Sequence, residues 1–296
     1  MSERGPRVVA LGGGHGLAVT LRALRRYAGE ITAVVSVADD GGSSGRLRRA
    51  LDVPAPGDLR RCLVALAEGS DPWPAAFEHR FEAGELAGHA LGNLVLVGLA
   101  ETLGSLTDAL AAAGALLGAA GRVLPATEGP VALVAEAGAG AVFGQVAVAR
   151  AGATADIGSL RLEPKAVRPP SEVIAALERA DQIVVAPGSL FTSVLAVLAV
   201  PEIRAAISRA PGRVVHVGNL APEAESAGLD AAEHVRRVAA MAGRVDVLVG
   251  DPDSTLGFDE GAVRAVGAEP LGCRLVADDG RTHDPERLAE ALVSLM

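Results

Sequence analysis

Three glycine- and serine-rich loops constrain the fold of this chain most strongly. Each follows a short apolar run typical of a strand and precedes residues with helical apolar spacing. The loops cover residues 12–16, 39–45 and 187–193. Strand–loop–helix units favour parallel strands, and the carboxyl ends of parallel strands lie on one side of the sheet. We therefore predict that these loops lie on the same side of an α/β protein.

The predicted architecture is a Rossmann-like, mostly parallel sheet flanked by helices. Residues 7–11, 31–37 and 182–186 are apolar, β-branched runs of the kind found in covered parallel sheets. From residue 121 to residue 161 the apolar spacing shortens to two, which predicts a small antiparallel β insertion. We expect residues 1–296 to form a single α/β domain, with residues 121–165 as a candidate subdomain.

Charge and composition exclude several classes of function. The formal net charge of −9 opposes binding of nucleic acid or an acidic membrane surface over most of the protein. Aromatic residues make up only 2% of the chain, so the core must be aliphatic. Lys165 is the only lysine, and the densest basic region lies between Arg46 and Arg61. Phosphate chemistry in such a chain must be local.

The cysteines and the apolar stretches point to the cytoplasm. Cys62 and Cys273 show neither metal-ligand nor redox-motif spacing. The N-terminal residues lead into a strand without the apolar region of a signal peptide. The most apolar stretch, residues 109–121, is shorter than the roughly 20 residues that a membrane span needs. We expect a cytoplasmic protein without a membrane span.

Loops of this composition bind anions. Their backbone N–H groups and the positive ends of the following helices attract phosphate, and glycine lets the backbone approach closely. Serine and threonine add hydroxyl donors. The predicted nucleotide- and phosphate-binding residues are Gly12, Gly13, Gly14, His15, Gly16, Asp39, Asp40, Ser43, Ser44, Gly45, Arg46, Asn93, Gly188, Ser189, Leu190, Thr192, Ser193 and Asn219. No catalytic residue is predicted.

Asp39 and Asp40 end the second predicted strand, where dinucleotide-binding folds place an acidic residue against ribose hydroxyls. Adjacent side chains point to opposite sides of a strand. We expect one of the two to face the ligand or a Mg²⁺ ion and the other to cap the following turn. The pattern does not decide between them, and no cofactor other than Mg²⁺ is indicated.

Other phosphate and hydrolase motifs fit less well. No Gly-x-x-x-x-Gly-Lys sequence exists, which excludes a P-loop NTPase. Leu17 stands where the strict dinucleotide fingerprint needs glycine, which weakens an NAD-dependent dehydrogenase. Residues 41–45 match the Gly-x-Ser-x-Gly pattern of serine hydrolases, with Ser43 as nucleophile, but the sequence identifies no base.

Five motifs carry a resemblance to a known family. They are Gly12-Gly-Gly-His-Gly16, Ala38-Asp-Asp-Gly-Gly-Ser-Ser-Gly-Arg-Leu-Arg48, Pro56-Gly-Asp-Leu-Arg60, Gly88-His-Ala-Leu-Gly-Asn93 and Pro187-Gly-Ser-Leu-Phe-Thr-Ser193. Together they resemble the YvcK-like family, also called gluconeogenesis factors, within the CofD-like superfamily. The resemblance implies a cytoplasmic, Rossmann-like regulatory protein that binds a UDP-sugar such as UDP-N-acetylglucosamine. It also implies a role in gluconeogenic growth, cell shape and peptidoglycan precursor supply.

The resemblance leaves an enzymatic alternative. CofD proteins are Mg²⁺-dependent transferases of phospholactyl groups, and Asp39 or Asp40 is then the implied metal ligand. The long motif at residues 38–48 is closer to the regulatory branch. Leu229 stands where the family commonly has a tyrosine, which leaves the base and sugar of the ligand open. A homodimer and a further protein partner stay open expectations.

Overall fold

A computed structural model describes residues 5–69, 72–138 and 140–296 of the chain. Its strands, in chain order, are β1 (Arg7–Gly12), β2 (Glu30–Val35), β3 (Arg122–Pro125), β4 (Ala132–Ala137), β5 (Gly140–Phe143), β6 (Ile157–Glu163), β7 (Gln182–Val185), β8 (Arg213–Val217), β9 (Val247–Gly250) and β10 (Glu269–Gly272).

The helices surround these strands. They are α1 (Gly14–Leu24), α2 (Gly42–Leu51), α3 (Gly57–Leu66), α4 (Trp73–Glu78), α5 (Leu91–Leu103), α6 (Leu106–Leu116), α7 (Gln145–Gly152), α8 (Ser171–Arg179), α9 (Leu195–Leu198), α10 (Pro201–Arg209), α11 (Ala231–Ala242), α12 (Glu260–Val266) and α13 (Pro285–Val293). A π-helical turn, Leu190–Val194, precedes α9, and a 3₁₀ turn spans Ala224–Ser226. The predicted elements do not include α10, α12 or β10. The last two are short, whereas α10 has helical apolar spacing at Ile203, Ala206 and Ile207 that was available in the sequence.

Seven strands form one parallel sheet in the order β10-β9-β8-β7-β1-β2-β3. The inner strands are buried along almost their whole length, because helices cover both faces of the sheet. Their core side chains are aliphatic, as the composition requires. The predicted fold, a mostly parallel sheet flanked by helices with a small antiparallel insertion, is confirmed.

The antiparallel insertion is narrower than predicted. It is a three-stranded sheet in the order β5-β4-β6, whereas β3 joins the parallel sheet beside β2. Residues 145–148 belong to the alternating stretch that predicts strands, but they begin α7 instead. Gly144 turns the chain with a φ of 96°, and the Asp40 carboxylate accepts hydrogen bonds from the N–H groups of Gln145 and Val146. A carboxylate from a distant segment thus starts this helix.

The direction in which successive strands are added to the sheet reverses at β1. From β1 the chain runs outward to β2 and β3, and it later returns to build β7, β8, β9 and β10 on the opposite side. The gap between the carboxyl ends of β1 and β7 is therefore a topological switch point, where open α/β sheets bind their ligands.

The described residues contain no single helix that is both long and apolar enough to cross a membrane. Leu190–Leu198 and Pro201–Arg209 reach that apolar length only as a pair, and they are bent by 73°.

Two histidines are buried in the interior of the protein. His216 on β8 is 1% exposed, and His234 on α11 is 2% exposed. His216 Nδ1 lies 3.2 Å from the carbonyl oxygen of Val185, and neither Nε2 atom has a hydrogen-bond partner among the described residues. Burial lowers the pKa of each imidazole to about 4. Both rings are therefore neutral in the folded protein at pH 7.

This pair predicts a loss of stability in mild acid. An unfolded histidine has a pKa near 6.5, so between about pH 6.5 and pH 4 the unfolded chain binds more protons and folding weakens as pH falls. Each ring contributes a slope of up to about 1.4 kcal/mol per pH unit in this window. The free energy of unfolding, measured with urea, should fall less steeply with decreasing pH in His234→Gln than in wild type between pH 6 and pH 4.5. The exposed His79, replaced by Gln, serves as the control. Equal slopes in all three proteins would contradict the prediction.

Candidate functional site

A pocket of about 240 Å³ lies at the switch point between β1 and β7. One wall is the start of α1, the second is the loop that follows β7, and the third is the loop that follows β8. Residues from a C-terminal hairpin close the mouth. The lining residues are His15, Gly16, Val19, Pro187, Gly188, Asn219, Leu220, Ala221, Pro222, Glu223, Arg281, Thr282 and His283.

The start of α1 offers hydrogen-bond donors to this pocket. Gly13 precedes the helix in extended conformation, and no side chain within the described residues caps the first turn. The N–H groups of residues 14–16 are therefore free to bind an anion, since the first turn of a helix has no internal partners for them. Gly14 has a φ of 63°, which glycine adopts without strain.

Gly16 brings two of the predicted loops into contact. A Cβ atom built at this position would lie 1.9 Å from the carbonyl oxygen of Pro187. Any larger residue would push the start of α1 away from the loop after β7. The close approach of these two backbones therefore depends on the missing side chain.

The loop after β7 uses most of its donors internally. The Glu225 carboxylate accepts hydrogen bonds from the N–H groups of Phe191 and Thr192 and from the Thr192 hydroxyl. The Ser189 hydroxyl donates to Glu223 over 2.5 Å. A carboxylate thus occupies the anion position that the sequence predicts for a diphosphate at the start of this helix. Leu190 is buried and adds packing only.

Asn219 holds the same loop from the neighbouring strand end. Its Oδ1 atom accepts from the N–H of Gly188 over 2.8 Å, and its Nδ2 atom donates to the carbonyl oxygen of Gly188 over 3.0 Å. The amide therefore pairs with the backbone as another strand would. Asn219 shapes the pocket by fixing Gly188, which has a φ of 152°.

A C-terminal hairpin, residues 275–283, carries three lining residues that the motifs did not indicate. Asp251 anchors its base by accepting from the N–H groups of Leu275 and Val276. His283 Nε2 lies 3.0 Å from the carbonyl oxygen of Gly218, at the end of β8. The hairpin is thereby tied to the ends of two strands of the parallel sheet.

Arg281 stands at the tip of this hairpin. Asp279 fixes the turn by accepting from the N–H groups of Thr282 and Arg281 and from the Thr282 hydroxyl, and these hydrogen bonds lower the pKa of Asp279 to about 2. The Arg281 guanidinium has no hydrogen bond or ion pair within the described part of the chain. An unpaired guanidinium at a pocket mouth can bind phosphate through two parallel hydrogen bonds.

Asp39 and Asp40 have different surroundings. Asp40 uses both oxygens to cap α7. Asp39 accepts from the N–H of Gly41 over 2.9 Å, and burial, followed by the nearby charge of Asp58, raises the pKa of Asp39. Asp58 lies against Gly13, because a Cβ built on that glycine would be 2.7 Å from its Oδ2 atom.

Asp39 and Asp58 are neighbouring carboxylates beside the loop at residues 12–16, and Asp58 is also ion-paired with Arg61. The described residues contain no cluster of three or more His, Cys, Asp or Glu side chains placed to hold a metal. Mg²⁺ commonly binds through one or two carboxylates and the phosphates of its ligand, so this pair is compatible with it. Asp40 is not available for this role while it caps α7.

Ser43, Ser44 and Asn93 lie in a buried polar network rather than in the pocket. The Ser43 hydroxyl lies 3.1 Å from His89 Nδ1 and accepts from Asn93 Nδ2 over 3.1 Å. The Ser44 hydroxyl accepts from the N–H of Gly57 over 3.2 Å. The predicted segments 12–16 and 39–45 follow neighbouring strands, but only His15 and Gly16 of the first segment line the pocket, and no residue of the second does.

The basic segment after residue 56 does not present free guanidinium groups. Arg60 is 2% exposed and pairs with Glu78, and Arg61 pairs with Asp58 over 2.6 Å. Arg46 is exposed and donates to the carbonyl oxygen of Ala87 over 2.8 Å. The free guanidinium of the pocket comes instead from Arg281, for which the flanking Asp-Asp-Gly turn was the only local signal.

Comparisons with known proteins identify the family of this chain. Residues 8–264 match the family model described as 2-phospho-L-lactate transferase CofD. The chain is 38% identical to a gluconeogenesis factor from Halalkalibacterium halodurans, with 97% of this chain and 95% of that protein aligned. It is 36% identical to the gluconeogenesis factor of Bacillus subtilis, with 98% of each chain aligned. A relative from Deinococcus radiodurans is longer, and the chain spans 66% of it at 40% identity.

A solved structure shares the complete fold. The crystal structure of a UPF0052-family protein from Bacillus halodurans superimposes with a TM-score of 0.94 at 35% identity, covering 99% of this chain and 100% of that one. The hairpin that carries Arg281 lies beyond the CofD match but within the regions aligned with the gluconeogenesis factors. These alignments show that the chain belongs to the CofD family and groups with the gluconeogenesis factors in it.

Proposed function

We propose that this protein binds a nucleotide sugar of the UDP-N-acetylglucosamine type and acts as a regulator rather than an enzyme. The proposed role lies in gluconeogenic growth, with links to cell shape and peptidoglycan precursor supply, as the family resemblance implies. The observation that carries the proposal is that Arg281, whose guanidinium has no hydrogen bond or ion pair within the described residues, lines the same switch-point pocket as the uncapped start of α1.

These two groups supply complementary donors to a diphosphate. The helix start offers backbone N–H groups and a positive partial charge, and Arg281 offers a planar pair of N–H donors. Thr282 lines the same mouth, but its hydroxyl donates to Asp279 and is not a free donor. The apolar side chains of Val19 and Leu220, together with Pro222, line the rest of the pocket and suit the face of a base or sugar ring.

Titration calorimetry tests the proposal. UDP-N-acetylglucosamine, UDP, GDP and NAD are each titrated into the purified protein with and without Mg²⁺, and the mixtures are then analysed for products. We expect UDP-N-acetylglucosamine to bind and to be recovered unchanged. NAD binding without nucleotide-sugar binding would support the dehydrogenase alternative and contradict the proposal.

A transferase is the second candidate, favoured by the Asp39–Asp58 pair next to Gly13. In that case both carboxylates would hold Mg²⁺ against the phosphates of a bound nucleotide. This candidate predicts that GDP binds only when Mg²⁺ is present. It also predicts that Asp39→Asn does not bind GDP even with Mg²⁺. Mg²⁺-independent binding of the nucleotide sugar would exclude it.

A further inference from the structure

A short hairpin packed against α2 brings two arginines close to one histidine. Residues 79–91 pair through three backbone hydrogen bonds, from Leu91 to His79, from Phe81 to His89 and from Gly88 to Phe81. Arg80 and His89 belong to this hairpin. Arg46 of α2 lies directly against it, since a Cβ built on Gly88 would be 2.9 Å from Arg46 Nη2.

Both guanidinium groups are held by backbone alone. Arg46 donates to the carbonyl oxygen of Ala87 over 2.8 Å, and Arg80 donates to that of Gly88. Neither arginine forms an ion pair within residues 5–69, 72–138 and 140–296, although the chain carries a net charge of −9. Two exposed guanidinium groups without an ion pair in these ranges therefore lie near one imidazole, in a hairpin that also carries Glu82 and Glu85.

A buried chain of hydrogen bonds determines which nitrogen of that imidazole carries the proton. Arg60 has only donors, so its Nε atom donates to Asn93 Oδ1 over 3.0 Å. Asn93 must then donate through Nδ2 to the Ser43 hydroxyl. The remaining proton of Ser43 points to His89 Nδ1, 3.1 Å away, so neutral His89 carries its own proton on Nε2.

Burial, followed by the charges of Arg46 and Arg80, lowers the pKa of His89 and keeps the ring neutral. The Nε2–H group is then a fixed donor beside two guanidinium groups. Arg60 and Asn93 are each 2% exposed, so water cannot easily reorder the chain of hydrogen bonds that fixes it.

We propose that Arg46, Arg80 and His89 form a second anion site, which binds the phosphoryl group of a small phosphorylated ligand. A tetrahedral phosphoryl group accepts donors from several directions, which suits three neighbouring donor side chains, whereas a planar carboxylate matches one guanidinium at a time. The site goes beyond the proposed function, because it shares no lining residue with the pocket of Arg281.

The site is connected to the phosphate loops through Ser43, which lies in the first turn of α2. A phosphoryl group that accepts from His89 Nε2 strengthens the hydrogen bond from Ser43 to Nδ1, since donating and accepting hydrogen bonds polarise each other. Binding at the hairpin is thereby linked to the position of the loop at residues 39–45.

Nitrogen-15 NMR of histidine side chains tests the proposal with inorganic phosphate as the probe. The full chain has six histidines, and His89→Gln assigns the signal of His89. We expect the free protein to show a protonated Nε2 and an unprotonated Nδ1, and phosphate to shift the Nε2 signal at constant ionic strength. Arg80→Ala should raise the dissociation constant about tenfold, the loss of one charge-assisted contact.

Matched variants separate this site from general electrostatics and from the nucleotide-sugar pocket. Arg49→Ala removes an exposed arginine of the same helix and should change the phosphate affinity less than twofold. In Arg281→Ala the response of His89 to phosphate should persist. Three results would overturn the proposal. The first is a protonated Nδ1 on His89, and the second is an unchanged His89 signal at about 20 mM phosphate, a concentration high enough to reveal millimolar binding. The third is a loss of phosphate affinity in Arg49→Ala as large as in Arg80→Ala.

Discussion

Replacing Gly16 with alanine is expected to destabilise the protein and to weaken nucleotide-sugar binding at the same time. The added Cβ atom would lie 1.9 Å from the carbonyl oxygen of Pro187, so the start of α1 and the loop after β7 must separate. Overpacking of this kind costs about 1–3 kcal/mol, or more where the obstacle is backbone. We expect a loss of about 3 kcal/mol in the free energy of unfolding and at least about a tenfold loss of affinity.

Gly98→Ala is the matched control for this substitution. Gly98 lies on the exposed side of α5, and a Cβ there meets no atom within 4 Å. Alanine favours a helix interior by about 0.5–1 kcal/mol over glycine, so this variant should be slightly more stable than wild type. Guanidinium unfolding measures the stability of both variants, and calorimetry measures their affinity for the nucleotide sugar. If Gly16→Ala matched wild type in both, the contact between the two loops would not define the pocket.

Removal of the Arg281 side chain is expected to weaken nucleotide-sugar binding without changing stability. A hydrogen bond to a charged group contributes about 1.5–3 kcal/mol, which corresponds to roughly a 10- to 150-fold rise in the dissociation constant for Arg281→Ala. The side chain is exposed and makes no hydrogen bond within the described residues, so the free energy of unfolding should change by less than about 0.5 kcal/mol. Arg281→Lys should recover part of the affinity, since it keeps the charge but not the planar pair of donors.

Arg274→Ala provides the comparison for Arg281. It removes an exposed arginine just before the same hairpin but outside the pocket. If wild type and Arg281→Ala bind the nucleotide sugar equally well, Arg281 is not part of the site. An equal loss in both variants would instead indicate a general effect of charge.

The central strands could be predicted from sequence because the patterns that indicate them are local. Apolar runs that end in glycine, followed by helical spacing, predicted β1, β2 and β7 and their place in a parallel sheet. The start of α7 shows the limit of this reasoning. Residues 142–148 alternate as a strand does, but Asp40, more than 100 residues earlier, caps residues 145 and 146 and turns them into a helix.

The site was harder to predict from sequence, because the composition of a loop does not reveal which groups accept hydrogen bonds from its donors. Residues 187–193 have the glycine and hydroxyl residues of an anion loop, but Glu225 satisfies the donors of Phe191 and Thr192 from 34 and 33 residues away. Ser43 likewise meets its histidine, His89, only across 46 residues. Arg281 lies in a segment without a phosphate motif.

The sequence by itself determined the α/β class, the loops that end the central strands and the family to which they belong, since each depends on residues adjacent in the chain. Tertiary structure alone decided which donors stay free for a ligand. Hydrogen-bond partners such as Asp40, Glu225 and His89 reach their targets through strand order and helix packing, and local patterns carry no information about those long-range pairings.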